Sequence, residues 1–196
     1  MVAIQQAAAA IRAGKVVAIP TDTVYGLAAD PFQPQAVRKL FRLKGRPQNK
    51  PILLLVESRR QVEMLAARLP EAFAPIAAKF WPGPVTVILP AAAHVPEGIT
   101  ASTGTVAIRM PGSVLTRRLI RAAGRPVTGT SANRSGRAPA RSAEQVRRQF
   151  PRGLGFILDG GPAASELPST IVDLTGAPRI IREGAVAGSA VLACCR

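Results

Sequence analysis

Chemistry in this chain would have to come from cations and hydroxyls. Lys44-Gly45-Arg46, with Lys50 four residues after Arg46, forms the first cluster. Lys44 follows Leu40 by four residues and Phe41 by three, so on a helix it shares their apolar face and points toward a cleft at the edge of the core. A second reading stays open: a cationic last turn that complements the helix dipole, worth about 0.3–1 kcal/mol. Thr128-Gly129-Thr130-Ser131-Ala132-Asn133 is the next cluster. Its small residues let backbone approach a ligand, and Ser131 and Asn133 add a hydroxyl and an amide, although the same composition also suits an ordinary turn. Pro20-Thr21-Asp22-Thr23-Val24-Tyr25-Gly26-Leu27 packs many polar groups between two apolar segments. Arg109 closes the apolar stretch that starts at Thr105, and Arg182 closes another before Glu183-Gly184. Lys44, Arg46, Lys50, Arg109 and Arg182 thus stand at element ends beside hydroxyl-rich loops, the inventory that a triphosphate plus a small carboxylate requires.

Other chemistries are missing. Neither G-x-x-x-x-G-K-[ST] nor G-x-G-x-x-G occurs, so the common nucleotide cradles are excluded. His94, the single histidine, reads as a solvated loop residue, which leaves no histidine-based triad and no metal cluster. Asp22, Asp30, Asp159 and Asp173 have the chemistry to hold magnesium through waters, but no carboxylate pair is fixed by spacing. Cys194 and Cys195 are adjacent, cannot staple a fold, and read as reduced thiols of a cytoplasmic protein.

The elements that must position these residues follow from periodicity. Helices are expected from Ile4 to Ala13, from Pro34 to the glycine at 45, from Ser58 through Leu69, from Glu71 to Lys79, from Ser113 to Ala123, from Ser142 to Phe150, and after Gly188. Strands are expected at Val16–Ile19, Ile52–Val56, Val85–Leu89, Val106–Arg109, Pro126–Thr128, Phe156–Leu158, Thr170–Val172 and Arg179–Ile181, with Trp81-Pro82-Gly83-Pro84 as a rigid turn. Strands mix with helices without strict alternation. The expected fold is therefore α/β, a single domain with an open, twisted, mixed sheet and flanking helices.

Composition bounds the rest. With 196 residues, 47% hydrophobic and 19% charged, the chain is neither disordered nor, for want of an apolar run of roughly 18 residues, membrane-spanning. No secretory leader is visible. The net charge of +15 predicts attraction to polyanions. Ten arginines lie between Arg117 and Arg152 against one acid, Glu144. That stretch is either a phosphate-facing surface or a solvated face of an arginine-rich protein, and the 4% aromatic content argues against base-stacking platforms.

Seven ordered segments resemble one family, the YrdC-like (TsaC-type) threonylcarbamoyl-AMP synthases in their short single-domain form. They are Pro20 to Leu27, Lys44-Gly45-Arg46-Pro47, Trp81-Pro82-Gly83-Pro84-Val85-Thr86, Val106-Ala107-Ile108-Arg109-Met110-Pro111, Ser131-Ala132-Asn133, Pro168-Ser169-Thr170-Ile171 and Arg182-Glu183-Gly184. Lys-x-Arg and Ser-x-Asn are the family's signature pair, and the likeness runs from about residue 7 to residue 184. The resemblance implies the double-stranded-RNA-binding YrdC fold, with residues 1–196 as one domain.

It also implies a nucleotidyl transfer in which L-threonine, bicarbonate or CO₂, and ATP give L-threonylcarbamoyl-AMP and pyrophosphate, with magnesium on the phosphates. The product would serve N6-threonylcarbamoylation (t6A) of adenosine 37 in tRNA, completed by a separate transferase in the cytoplasm. Carried over residue by residue, Thr23, Arg109 and Ser169 are threonine contacts, and Arg46, Lys50, Thr105, Ser131 and Arg182 are ATP contacts. Lys44, Arg46, Ser131 and Asn133 form the catalytic set, with tRNA or double-stranded RNA reaching Arg117–Arg152. Some relatives carry histidine at the place of Leu55 and others serine at the place of Pro139, so those side-chain roles are missing. The competing readings are a non-catalytic RNA- or tRNA-binding module and a same-fold paralogue with another acceptor.

Overall fold

The computed structural model describes residues 1–163, 165 and 167–195. Helix α1 (Val2–Arg12) buries Ala7, Ala8 and Ile11 and leads into strand β1 (Val17–Ile19). The uninterrupted apolar run of β1 reflects burial on both faces: Val17 and Ile19 enter one core cluster, Ala18 the other. β2 (Gly26–Ala28) returns antiparallel to β1.

Helix α2 (Pro34–Lys44) begins with proline at its first position and buries Ala36, Val37, Leu40, Phe41 and Lys44 on one stripe. It stops at Gly45, whose φ of 61° sets a left-handed cap. Gly45 N donates to Arg42 O (3.2 Å) and Arg46 N to Phe41 O (3.1 Å), the paired bonds of a Schellman motif. The chain reverses there, so Lys44 and Arg46 leave the helix end in different directions.

β3 (Leu54–Leu55), α3 (Arg59–Leu65), α4 (Phe73–Phe80), β4 (Val85–Pro90), α5 (Glu97–Thr100) and β5 (Thr105–Arg109) follow. The helix expected to run to Leu69 ends at Leu65, because Ala66 bridges Ala91 and Ala67 N donates to Pro90 O at 2.9 Å. Helix α6 (Val114–Ala123) is capped by Ser113, whose hydroxyl accepts from Thr116 N. β6 (Val127–Thr128) and β7 (Thr130–Ser131) come next. Ser142 caps α7 (Ala143–Gln149) by accepting from Gln145 N, while the Gln145 side chain accepts from Arg141 N, one residue before the cap. β8 (Phe156–Ile157), β9 (Thr170–Asp173), β10 (Arg179–Arg182) and α8 (Gly188–Leu192) complete the order.

The strands divide between two open mixed sheets. One has the order β7-β2-β1-β8, the other β10-β9-β4-β5-β3-β6. α1 and α6 pack on one face of the smaller sheet, and α2, α3, α4 and α7 share the larger core cluster. The chain passes from one sheet to the other across Gly129 alone, between β6 and β7. A Cβ at Gly129 would sit 2.5 Å from the Leu55 side chain, so no other residue fits this crossing without displacing the core. Thr128 stitches the same seam: its amide donates to Ala29 O (2.9 Å), and its hydroxyl accepts from Ala29 N (2.8 Å) and donates to Leu27 O (3.2 Å). Among the described residues no helix is long and apolar enough to cross a membrane.

Asp30 anchors the connection from β2 to α2. It is fully buried and accepts from Phe32 N (2.9 Å), Gln33 Nε2 (3.0 Å) and Arg125 Nη1 (2.6 Å). Asp30→Ala strands these donors, and chemical denaturation should show a loss of about 2 kcal/mol, allowing for the partial exposure of Arg125. A loss below about 0.5 kcal/mol would show that the network carries no stability.

Candidate functional site

Strand alternation builds the floor of the principal cavity. On β4, β5 and β9, Val85, Val87, Leu89, Val106, Ile108 and Val172 face the core. Thr86, Ile88, Ala107, Arg109 and Ile171 face the other way, into a cavity of about 710 Å³. Register pairs Ile88 with Ala107 and Thr86 with Ile171, so the floor is continuous. Thr23, Val24, Thr130 and Ser131 come from the smaller sheet and its loop, and Arg46, Pro51, Ile52, Leu53, Gly129, Pro139, Pro168, Ser169, Ile181 and Arg182 complete the lining.

Arg109 is 3% exposed at the end of β5. Its Nε donates to Gly83 O (2.9 Å) and its Nη1 to Thr23 Oγ1 (3.1 Å), while Nη2 is in ion-pair contact with Asp22 Oδ1. That ionic contact lacks hydrogen-bond alignment, and both Asp22 oxygens are shielded from solvent without a donor. Thr21 Oγ1 donates its single hydrogen to Val24 O (2.6 Å), so Thr23 is the donor between the two threonine hydroxyls and keeps a lone pair for Arg109. Gly83 follows the cis Trp81–Pro82 bond of the expected turn.

The signature residues are divided. Lys44 is 3% exposed, and its Nζ donates toward Ser131 O (2.5 Å), Ser131 Oγ (3.3 Å), Asn133 O (3.1 Å) and Asn133 Oδ1 (3.0 Å). Asn133 Nδ2 donates to Arg134 O (3.0 Å) and Arg137 O (2.6 Å), and Ser131 Oγ donates to Asn133 Oδ1 (2.6 Å). Both amide hydrogens of Asn133 are therefore committed within its own loop. Neither Lys44 nor Asn133 lines the cavity; they brace the strand that presents Ser131 to it. The apolar-stripe reading of Lys44 holds over the dipole reading.

Arg46 lines the cavity, with Nη2 donating to Pro51 O (2.9 Å) and a buried Nε that has no partner. Arg182 stands at the rim, donating through Nη2 to Ser169 O (2.7 Å), and Ser169 Oγ meets Thr86 Oγ1 at 2.8 Å. Burial lowers the pKa of Arg46 from its ordinary value, and partial burial with the nearby Arg109 does the same for Arg182. Lys50 and Thr105 do not line the cavity. Lys50 is exposed in the loop after Arg46. Thr105 shares the pleat face of Ala107 and Arg109, roughly 13 Å up β5 from Arg109 at 3.3 Å per residue. Leu55 is buried in the core behind Gly129, which lines the cavity, and does not itself line it, whereas Pro139 borders it.

Thr86, Gly83 and Asp22 belong to the site without having been singled out as its contacts. Thr86 was legible as the polar member of an otherwise apolar alternating strand; the other two depend on contacts across the fold.

Residues of both open sheets thus meet in an α/β fold around a cavity walled by cations and hydroxyls. The chain belongs to the Sua5/YciO/YrdC family, whose model, described as telomere recombination, matches residues 9–184. It is 42% identical to the threonylcarbamoyl-AMP synthase of Pyrococcus abyssi, over 91% of this chain and 52% of that protein. It is 40% identical to a putative threonylcarbamoyl-AMP synthase of Mycobacterium tuberculosis H37Rv, over 93% of this chain and 84% of that protein. Among solved structures, it matches P. abyssi Sua5 complexed with L-threonine with a TM-score of 0.94 at 40% identity, covering 97% of this chain and 56% of that one. It matches E. coli YciO with a TM-score of 0.84 at 25% identity, covering 93% and 89%. The chain thus spans about half the length of the Pyrococcus protein. The expected α/β class and family hold.

Burial, with the charge of Arg46 beside it, lowers the Lys44 ammonium from its ordinary value to about 8. A cation with a lowered pKa loses its charge as pH rises, so above that value an amine with two hydrogens faces four oxygens. Titration of ¹³Cε-labelled lysine should place the Lys44 midpoint near 8, accompanied by shifts in the amides of residues 131–133. A midpoint at the ordinary lysine value would show that the four oxygens hold the charge against burial.

Proposed function

We propose that this chain is a threonylcarbamoyl-AMP synthase, joining L-threonine, bicarbonate or CO₂, and ATP into L-threonylcarbamoyl-AMP with release of pyrophosphate, and of water where bicarbonate is the carbon source. The observation that carries this reading is the meeting of Thr23, Arg46, Arg109, Ser131, Ser169 and Arg182 in one cavity, drawn from both sheets. Arg109 receives the threonine carboxylate, and Thr23 and Ser169 supply hydroxyls beside it. Arg46, Ser131 and Arg182 face the phosphates, with Lys50 arriving from its exposed loop. Thr105, on the same pleat face as Arg109 but outside the cavity, would meet only a nucleotide that extends along β5 beyond the cavity.

Proton chemistry belongs to the carboxylation step, in which the threonine ammonium gives up two protons as its nitrogen becomes the carbamate nitrogen. The carbamate oxygen formed on the threonine nitrogen is already anionic, so alignment with the α-phosphorus and neutralisation of the departing pyrophosphate are the main tasks. Among the described residues no group of three histidines, cysteines or carboxylates gathers to hold a metal. Magnesium enters this reading as the counter-ion of the nucleotide, held by phosphates and water. Lys44 and Asn133 act through Ser131 by keeping its strand in place.

A second site supports the tRNA part of the reading. Behind Lys44 a groove of about 550 Å³ is lined by Lys39, Arg42, Arg134 and Arg152 and by no acidic residue. The arginine-rich stretch as a whole is not one free face: Arg117 donates to Pro111 O, Arg121 to Glu57 and Arg125 to Asp30. In this reading the product passes to a t6A transferase acting on tRNA in the cytoplasm, with this α/β unit working as one domain.

With ATP, magnesium and bicarbonate, pyrophosphate release should depend on threonine and be weak with other amino acids. Arg109→Ala should raise the threonine KM by about 100-fold, the scale of a buried charged contact. Release indifferent to the amino acid would overturn the assignment, and salt-sensitive RNA binding without turnover would favour the non-catalytic module.

A further inference from the structure

Asp22 carries no substrate contact in the reading above, yet it is placed where a buried guanidinium must be held. Its carboxylate oxygens are shielded from solvent and receive no hydrogen bond from the described residues, and its ionic partner is Arg109. An isolated buried carboxylate is unfavourable, so a fold keeps one where it answers a charge that is itself needed. Arg109 is such a charge, and Arg182 lies close enough to disfavour a second cation in the same cavity.

The geometry points to Asp22 as a positioning residue for Arg109. Each guanidinium nitrogen has one anchor: Nε on Gly83 O, Nη1 on Thr23 Oγ1, Nη2 against Asp22 Oδ1. Three anchors on three nitrogens fix both the plane and the rotation of the group. A guanidinium has five N–H hydrogens, so Nη1 keeps a second hydrogen for a substrate carboxylate, while Nη2, shielded from solvent, stays turned to Asp22. Without Asp22 the Nη edge is held by Thr23 alone.

The seat of Asp22 is itself built. The backbone of Gly112 closes over it so tightly that a Cβ there would lie 3.1 Å from the Asp22 carboxyl carbon. Arg117 Nη1 pins that backbone by donating to Pro111 O (2.7 Å) and Gly112 O (2.9 Å). A substrate carboxylate therefore meets a receptor whose orientation is set in advance, which limits the ordering required on binding. This inference rests on the proposed assignment of Arg109 to the threonine carboxylate.

The test compares Asp22→Ala and the isosteric, uncharged Asp22→Asn in the full chain. One readout needs no substrate: the Arg109 Nε–H resonance, protected in the wild type by Gly83 O, should exchange faster with water in Asp22→Ala. The other is steady-state pyrophosphate release, where Asp22→Ala should raise the threonine KM by about tenfold, with kcat and the ATP KM within about twofold, and Asp22→Asn should fall between. Gly112→Ala, crowding the same carboxylate, should move the threonine KM in the same direction. If Asp22→Ala does not fold, Asp22→Asn carries both readouts. Unchanged exchange with an unchanged threonine KM would overturn the inference, as would equal rises in both KM values, which mark a merely structural ion pair. A wild-type protein without threonine-dependent release would sink the proposed function, while the exchange measurement would still decide the role of Asp22.

Discussion

A guanidinium buried at the end of β5 imposes the first constraint on this molecule. Arg109 cannot keep its charge away from water unless acceptors and a counter-charge surround it. They come from two distant parts of the chain: the bend before β4 supplies Gly83 O, and the loop after β1 supplies Thr23 and Asp22. Satisfying one side chain thereby fixes the larger sheet against a loop of the smaller one. The cavity lies beside this tie, lined by Thr23 and Arg109 themselves and by residues of both sheets.

Lys44 makes the complementary tie at the other wall. It crosses from the end of α2 to β7 and gathers oxygens of Ser131 and Asn133 around one ammonium. The Schellman reversal at Gly45 then lets the next cation, Arg46, turn toward the cavity instead of continuing along the helix. Two positive residues separated by one glycine thus do different work, one bracing a strand and the other facing the ligand space. Lys44 is buried among oxygens, whereas Arg46, Arg109 and Arg182 line the cavity with no acidic residue among the described ones, so the cavity holds an excess of positive charge that a polyphosphate and a carboxylate would relieve.

The net charge of +15 divides along the same lines. Part of it is internal: Arg109 with Asp22, Arg125 with Asp30, and Arg117 on loop carbonyls hold the fold. Part of it lines the cavity. The remainder includes the groove of Lys39, Arg42, Arg134 and Arg152, which lies on the far side of the strand that Lys44 braces. A charge count cannot separate these classes, because a buried, paired arginine and a solvated one contribute equally to it.

Much of the secondary structure was legible, because periodicity is local. The α2 stripe, its stop at Gly45, the Ser113 and Ser142 caps and the apolar strands β1, β4 and β5 all follow from residue types within a few positions of each other. The cations at element ends were legible for the same reason. By contrast β2 and β7 are two or three residues long, contain glycine, threonine and serine, and read as polar loops. They become strands by pairing with β1 and with each other. The division into two sheets was likewise hidden, since it is set by pairing between strands far apart in the chain, such as β1 with β8 and β4 with β9. By itself, then, the sequence determined the helices and the apolar strands, the chemical inventory and, through its motifs, the family. Only the tertiary structure decided which residues face the cavity and which hold those that do, because a buried charge is positioned by acceptors brought from remote segments, and no local spacing records where they come from.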